Sequence, residues 1–164
     1  MVPAHADDTD VGALHRVKVD LTAIVDTGVS HPVENISSSG QPGRAAFEVF
    51  AKSGYVAVVD LRGADEDRGL DEHDVVEGLG MQYVTLPIVG EDAVSYENAQ
   101  KLDTLLSELD GPVLLHCVRG NRVGALLALR HSQSGASDEE ALAFGKKAGL
   151  TRLEPVVQER LEAK

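Results

Sequence analysis

With 164 residues, 43% of them hydrophobic, the chain is long enough for one domain with its own core and too apolar to be disordered throughout. Its net charge of −12, from 27 acidic against 15 basic side chains, argues against a nucleic-acid partner, and no apolar run approaches the roughly 18 residues of a membrane helix. The single cysteine allows no internal disulfide, and 4% aromatics with no tryptophan leave little for stacking on bases or sugars.

Residues 1–30 read as an N-terminal extension and residues 31–164 as a single domain. Ala4-His5-Ala6 before Asp7-Asp8 resembles the small-x-small end of a secretory signal peptide, without a basic and apolar segment before it. A chance similarity leaves the chain cytoplasmic by default, whereas a trimmed export form would be periplasmic. Leu14 to Ile24 fits a strand or a short helix equally.

From Val33 the pattern sharpens. Glu34 to Ser39 reads as an edge strand, and Gly40-Gln41-Pro42 as its turn. Pro42 suits the start of a helix over Arg44 to Lys52, with Ala46, Phe47, Phe50 and Ala51 on one face and Gly54 as its stop. Tyr55 to Val59 is an apolar strand ending in Asp60-Leu61-Arg62. An acidic, turn-rich stretch then leads to a short helix stopped by Gly80, and Met81 to Ile88 is the next strand. After the loop Val89 to Ser95, Ser95 caps a helix from Tyr96 to about Leu109. Ser137-x-x-Glu140 and Thr151-x-x-Glu154 are capping-box patterns opening helices over about Asp138 to Ala148 and Arg152 to Ala163. Strands alternating with helices, followed by a helical tail, predict a three-layer α/β domain around a mainly parallel sheet.

The chemistry centres on Pro112 to Leu127. Val113 to Leu115 reads as a buried strand that delivers Cys117 into a loop with Gly120 and Asn121. An apolar helical run from about Val123 to Leu129 follows at once. Strand, tight loop and helix N-terminus aim backbone N–H groups at one point and favour an anion there. Such a position favours a thiolate, so Cys117 is a candidate nucleophile and Arg122 a candidate bidentate oxyanion clamp. His5, His15, His31, His73 and His131 show no ligand spacing, so no metal site is expected.

His116-Cys117, a glycine-bearing loop and Arg122 resemble the signature of the cysteine-dependent phosphatases of the protein tyrosine phosphatase superfamily. The usual signature has five residues between cysteine and arginine, whereas Val118, Arg119, Gly120 and Asn121 make four. A loop this short is typical of rhodaneses, and it also resembles the beta-lactamase-hydrolase-like branch of the phosphatases, which are bacterial proteins. Ser39-Gly40-Gln41-Pro42, then a helix, then a strand ending Asp60-Leu61-Arg62, is similar to the opening of that branch. The resemblance runs in order over roughly Val33 to Val156.

It implies a phosphatase-like fold and hydrolysis of phosphate monoesters, phosphotyrosine among them, through a phosphocysteine on Cys117. Arg122 and the loop residues Val118, Arg119, Gly120 and Asn121 would bind the phosphate, and His116 would orient the loop from beneath. The scheme also needs an acid for the leaving oxygen. Asp92 in the loop after Val89 is chosen, with Glu91 as runner-up. Asp60 and Arg62, at a strand end where ligands of open α/β sheets collect, would line the pocket or pair with each other. No cofactor is required, and the partner is a phosphorylated small molecule or protein. Rhodanese-like sulfur transfer through a Cys117 persulfide, or anion binding without turnover, are the alternatives.

Overall fold

The strand that carries the cysteine lies at the middle of the sheet. The computed structural model describes residues 31–33 and 35–164, so the signal-like segment and Leu14 to Ile24 lie outside the described residues. The strands are β1 (His31–Val33), β2 (Ile36–Ser39), β3 (Ala57–Asp60), β4 (Gln82–Thr85) and β5 (Val113–His116). Their order is β1-β2-β5-β3-β4, with β2, β5, β3 and β4 parallel and β1 antiparallel at one edge. Val113 pairs with both Ile36 and Ala57, so β5 joins two strands that do not bond each other.

The helices are α1 (Arg44–Lys52), α2 (Glu72–Gly78), α3 (Tyr96–Ser107), α4 (Asn121–Gln133), α5 (Asp138–Lys147) and α6 (Glu154–Glu162). Strand side chains alternate between faces, which decides what packs where. Val58 and Leu114 point toward Phe47 and Phe50 of α1 and Val76 of α2. Ala57, Val59, Val113 and Leu115 face the opposite core, built with Leu102 of α3 and Leu126 and Leu127 of α4. Both faces are covered, so β3 and β5 read as continuous apolar runs.

Four sequence expectations need correcting. β2 is not an edge strand, because β1 folds back on it through the Val33–Ile36 pair. Within it Ser37, Ser38 and Ser39 are buried and satisfied by Tyr55, the Ala148 carbonyl and the Gly40 carbonyl respectively. Pro42 stands outside α1, whose N-cap is Gly43. The strand expected over Met81 to Ile88 keeps regular pairing only to Thr85, since Pro87 has no N–H to offer, although Leu86 and Ile88 still donate to Asp60 and Leu61. Finally, the Ser137–Glu140 capping box forms at α5, but Thr151-x-x-Glu154 does not cap α6, whose N-cap is Leu153. Thr151 is instead bound to Asn121.

Candidate active site

β5 ends at His116 and the chain turns through Cys117 to Gly120 into α4, which starts at Asn121, two residues earlier than the apolar pattern suggests. Gly120 has φ of 83°, a left-handed conformation that suits glycine. Its N–H lies 3.1 Å from the Cys117 sulfur and donates to it. The Cys117 side chain is buried, but the residue still reaches the floor of a pocket of about 650 Å³. Gln41 N–H donates to the Val118 carbonyl at 3.1 Å and Gly40 bridges Arg119, so the β2–α1 turn holds the loop from outside.

Arg122 enters the same pocket from the first turn of α4. Its Nη1 and Nη2 each donate to a Glu66 carboxylate oxygen at 2.9 Å, and Nη1 also reaches the Ile88 carbonyl at 3.1 Å. These contacts engage the tip of the fork. The guanidinium also hydrogen-bonds the Cys117 side chain, so one arginine ties the Glu66 carboxylate to the sulfur, and these contacts, Glu66 first, raise its pKa. Glu66 in turn accepts from Gly63 N–H at 2.6 Å and from Arg62 Nε at 3.2 Å. The Arg122 hydrogen bonds are the main cause that holds the Glu66 carboxyl down at about 2.

Beneath the loop lies a buried polar brace. His116 Nε2 meets the Glu72 carboxylate, with Asp60 Oδ1 3.8 Å away, while Nδ1 faces the Cys117 carbonyl at 3.3 Å. Asp60 accepts from Arg68, from the Tyr83 hydroxyl and, at 2.8 Å, from Arg62 N–H. Burial pushes the Asp60 pKa up, but His116 and these donors outweigh it and hold the carboxyl below its ordinary value. The Gln41 amide joins the networks, donating to Glu72 and accepting from Arg62, both at 2.7 Å. Asp60, Glu72 and His116 lie close enough together to ligate a cation, but protein donors already occupy their carboxylates.

The structure thus brings Cys117, Val118, Arg119, Asn121 and Arg122 together around one pocket, with the Gly120 N–H on the sulfur. Asn121 also braces the far wall, its Oδ1 accepting from Thr151 N–H and Leu153 N–H at 2.9 and 3.1 Å. Asp60 and Arg62 neither line this pocket nor pair through their side chains, because Arg68 and Tyr83 take one and Glu66 and Gln41 the other. Asp92 is exposed in the 3₁₀ turn Glu91–Ala93 and is not among the lining residues, while the Glu91 carbonyl accepts from Arg160 at 3.1 Å. Sequence reasoning missed Gln41, Glu66, Glu72, Thr151 and Arg152. For Glu66 the signal was the need of a half-buried guanidinium for a carboxylate; Arg62-x-x-x-Glu66 in the acidic stretch met it without standing out.

This sheet order, with a cysteine loop between the central strand and the following helix, is the fold of the protein tyrosine phosphatase-like phosphatases. A phosphatase candidate from Neisseria meningitidis Z2491 superposes with a TM-score of 0.69 at 22% identity, covering 80% of this chain and 95% of that one. TpbA of P. aeruginosa, in a C132S structure with pTyr, gives 0.60 at 18% identity, covering 88% and 86%. The family model described as "DSP-PTPase phosphatase fused to NAD+ Kinase" matches residues 9–158, and the chain belongs to that family. The match begins inside the stretch that the sequence reading set apart as an extension. Beta-lactamase hydrolase-like proteins of Xylella fastidiosa (strain Temecula1) and Agrobacterium fabrum are 28% and 26% identical over 122 residues, 71% of this chain. The matched region spans only 28% of the length of those curated relatives.

Proposed function

We propose that the chain is a cysteine-dependent phosphatase that hydrolyses phosphate monoesters. The observation that carries this reading is Arg122 and Cys117 in contact within one pocket, with the Gly120 N–H on the sulfur. Held by Glu66 beside the sulfur, the Arg122 guanidinium would grip the oxygens of a phosphate bound over Cys117. In the proposed reaction the Cys117 thiolate attacks phosphorus in line. The bond to the leaving oxygen breaks, its electron pair stays on that oxygen, and Asp92 supplies the proton. Water, deprotonated by the same carboxylate, then attacks the phosphocysteine and releases inorganic phosphate and thiolate.

The Asp92 turn follows Ile88, whose carbonyl Arg122 engages, which supports a link between that turn and the site. Glu91 is the alternative acid. The substrate is a phosphorylated small molecule or protein, and the pTyr bound in the TpbA structure makes phosphotyrosine a natural test compound.

Loop length favours a second reading. Four residues between Cys117 and Arg122 suit a persulfide as well as a phosphate, which keeps sulfur transfer as the competitor. The deciding experiment pairs p-nitrophenyl phosphate hydrolysis with thiocyanate formation from thiosulfate and cyanide, using Cys117→Ser as control. Phosphate release that disappears with Cys117→Ser, and falls roughly 100-fold or more with Asp92→Asn, supports the phosphatase and its acid. Thiocyanate without phosphate release sinks it in favour of sulfur transfer. Silence in both assays, with anion binding retained, points to a binding module.

A further inference from the structure

The pocket is far more cationic than the reaction needs. Arg119 and Arg152 line it together with Arg122, and no carboxylate does. Arg122 already has Glu66, but Arg119 and Arg152 have no ion-pair partner among the described residues. Both are exposed, in a chain whose net charge is −12. One transferring phosphate is served by Arg122 and the loop amides, so two further guanidinium groups at the rim suit a second anion.

Arg152 is also held by the fold. Its neighbours Thr151 and Leu153 both donate backbone N–H groups to Asn121 of the cysteine loop. Just before them Gly149 packs on Gly120, where a Cβ would come within 2.8 Å of the Gly120 carbonyl oxygen. The wall that carries Arg152 is thereby fastened to the loop that carries Cys117.

We infer that the substrate is a small phosphate monoester bearing a second phosphate, which Arg119 and Arg152 hold while Cys117 and Arg122 act on the first. This rests on the phosphatase reading. The second phosphate must be ionised, so its recognition weakens with salt.

The test compares kcat/KM for phosphate release from two bisphosphates with that from each of their monophosphates. Adenosine 3′,5′-bisphosphate and fructose 1,6-bisphosphate provide two spacings. Binding of the same compounds to the Cys117→Ser protein is measured by calorimetry. The expected result is that at least one bisphosphate exceeds both of its monophosphates by roughly tenfold or more, in turnover and in binding. Arg119→Gln and Arg152→Gln each reduce that ratio several-fold, whereas Lys52→Gln, which removes an exposed charge on α1, leaves it unchanged. Bisphosphates no better than monophosphates, or a preference that survives both arginine substitutions, overturns the inference. If no compound is hydrolysed but the arginine-dependent binding preference holds, the phosphatase reading has failed while the two-anion pocket stands.

Discussion

Glu66 and Arg122 meet end-on, each guanidinium terminal nitrogen 2.9 Å from one carboxylate oxygen. Glu66 comes from the loop after β3 and Arg122 from the start of α4, so this pair sets which edge of the arginine faces the pocket. Replacing the carboxylate by an amide keeps one acceptor but turns an N–H toward the guanidinium. Glu66→Gln is therefore expected to lower kcat/KM for p-nitrophenyl phosphate by about 10- to 100-fold. Unchanged kinetics would show that the pair does not aim Arg122.

The same pair has a pH signature. The Glu66 carboxyl lies at about 2 in the folded chain against an ordinary 4.5. A depressed folded value means that stabilisation is complete above the ordinary value and is lost as pH falls from about 4.5 through about 2. Urea midpoints of the wild type and Glu66→Gln should differ by a constant amount above about pH 6 and converge below about pH 4.5. A gap that widens with acid would contradict the assignment.

Asn121→Ala removes the acceptor for the Thr151 and Leu153 N–H groups at the entry to α6. A stability loss of about 1–3 kcal/mol is expected in urea unfolding, because part of that backbone is buried. KM should rise as well, since the wall bearing Arg152 loses its tie to the loop. Lost stability with unchanged KM would limit Asn121 to a scaffold role.

Gly124 of α4 lies against the α5–α6 connection, where an added Cβ would stand 2.2 Å from Leu150 N and 2.6 Å from the Gly145 carbonyl oxygen. Those atoms are backbone and have little freedom to retreat. Gly124→Ala should cost about 3 kcal/mol or more by chemical denaturation. Gly78→Ala, with nothing within 4 Å, should be neutral or stabilising by up to about 1 kcal/mol. Equal effects of the two would refute a close helix contact at Gly124.

Glu72→Ala withdraws an acceptor from both His116 and Gln41 in a buried setting. The expected cost is about 1–3 kcal/mol in the same denaturation assay, with Glu72→Gln recovering part of it. A neutral alanine variant would mean that the brace beneath the cysteine loop adds nothing to stability.

The parts of this architecture that were legible in sequence are those governed by local rules. Ser95 and Ser137 mark helix starts with their own hydroxyls, and the α1 face of Ala46, Phe47 and Phe50 follows from helical periodicity. Cys117 and Arg122 stood out because strand, glycine loop and helix adjoin in the chain. Residues set by long-range pairing were hidden. Glu66 sits in a stretch whose carboxylates look solvated, and only the fold brings it to Arg122. Thr151 carried a local capping pattern that Asn121 overrode from thirty residues away. β2 read as an edge strand because the partners of its serines, Tyr55 and Ala148, are remote in sequence.

The position of β5 also sets an order of events for the chain as it is made. β2 and β3 emerge first but bond each other nowhere; both wait for the strand that comes between them. The loop that follows this strand is not secured until Thr151 and Leu153 are present to bind Asn121. A nascent chain therefore exposes β2 and β3 edges until residue 116 is free, and its cysteine pocket closes only once residue 153 has followed. Whatever chemistry the site performs belongs to the finished domain and to no shorter N-terminal fragment of it.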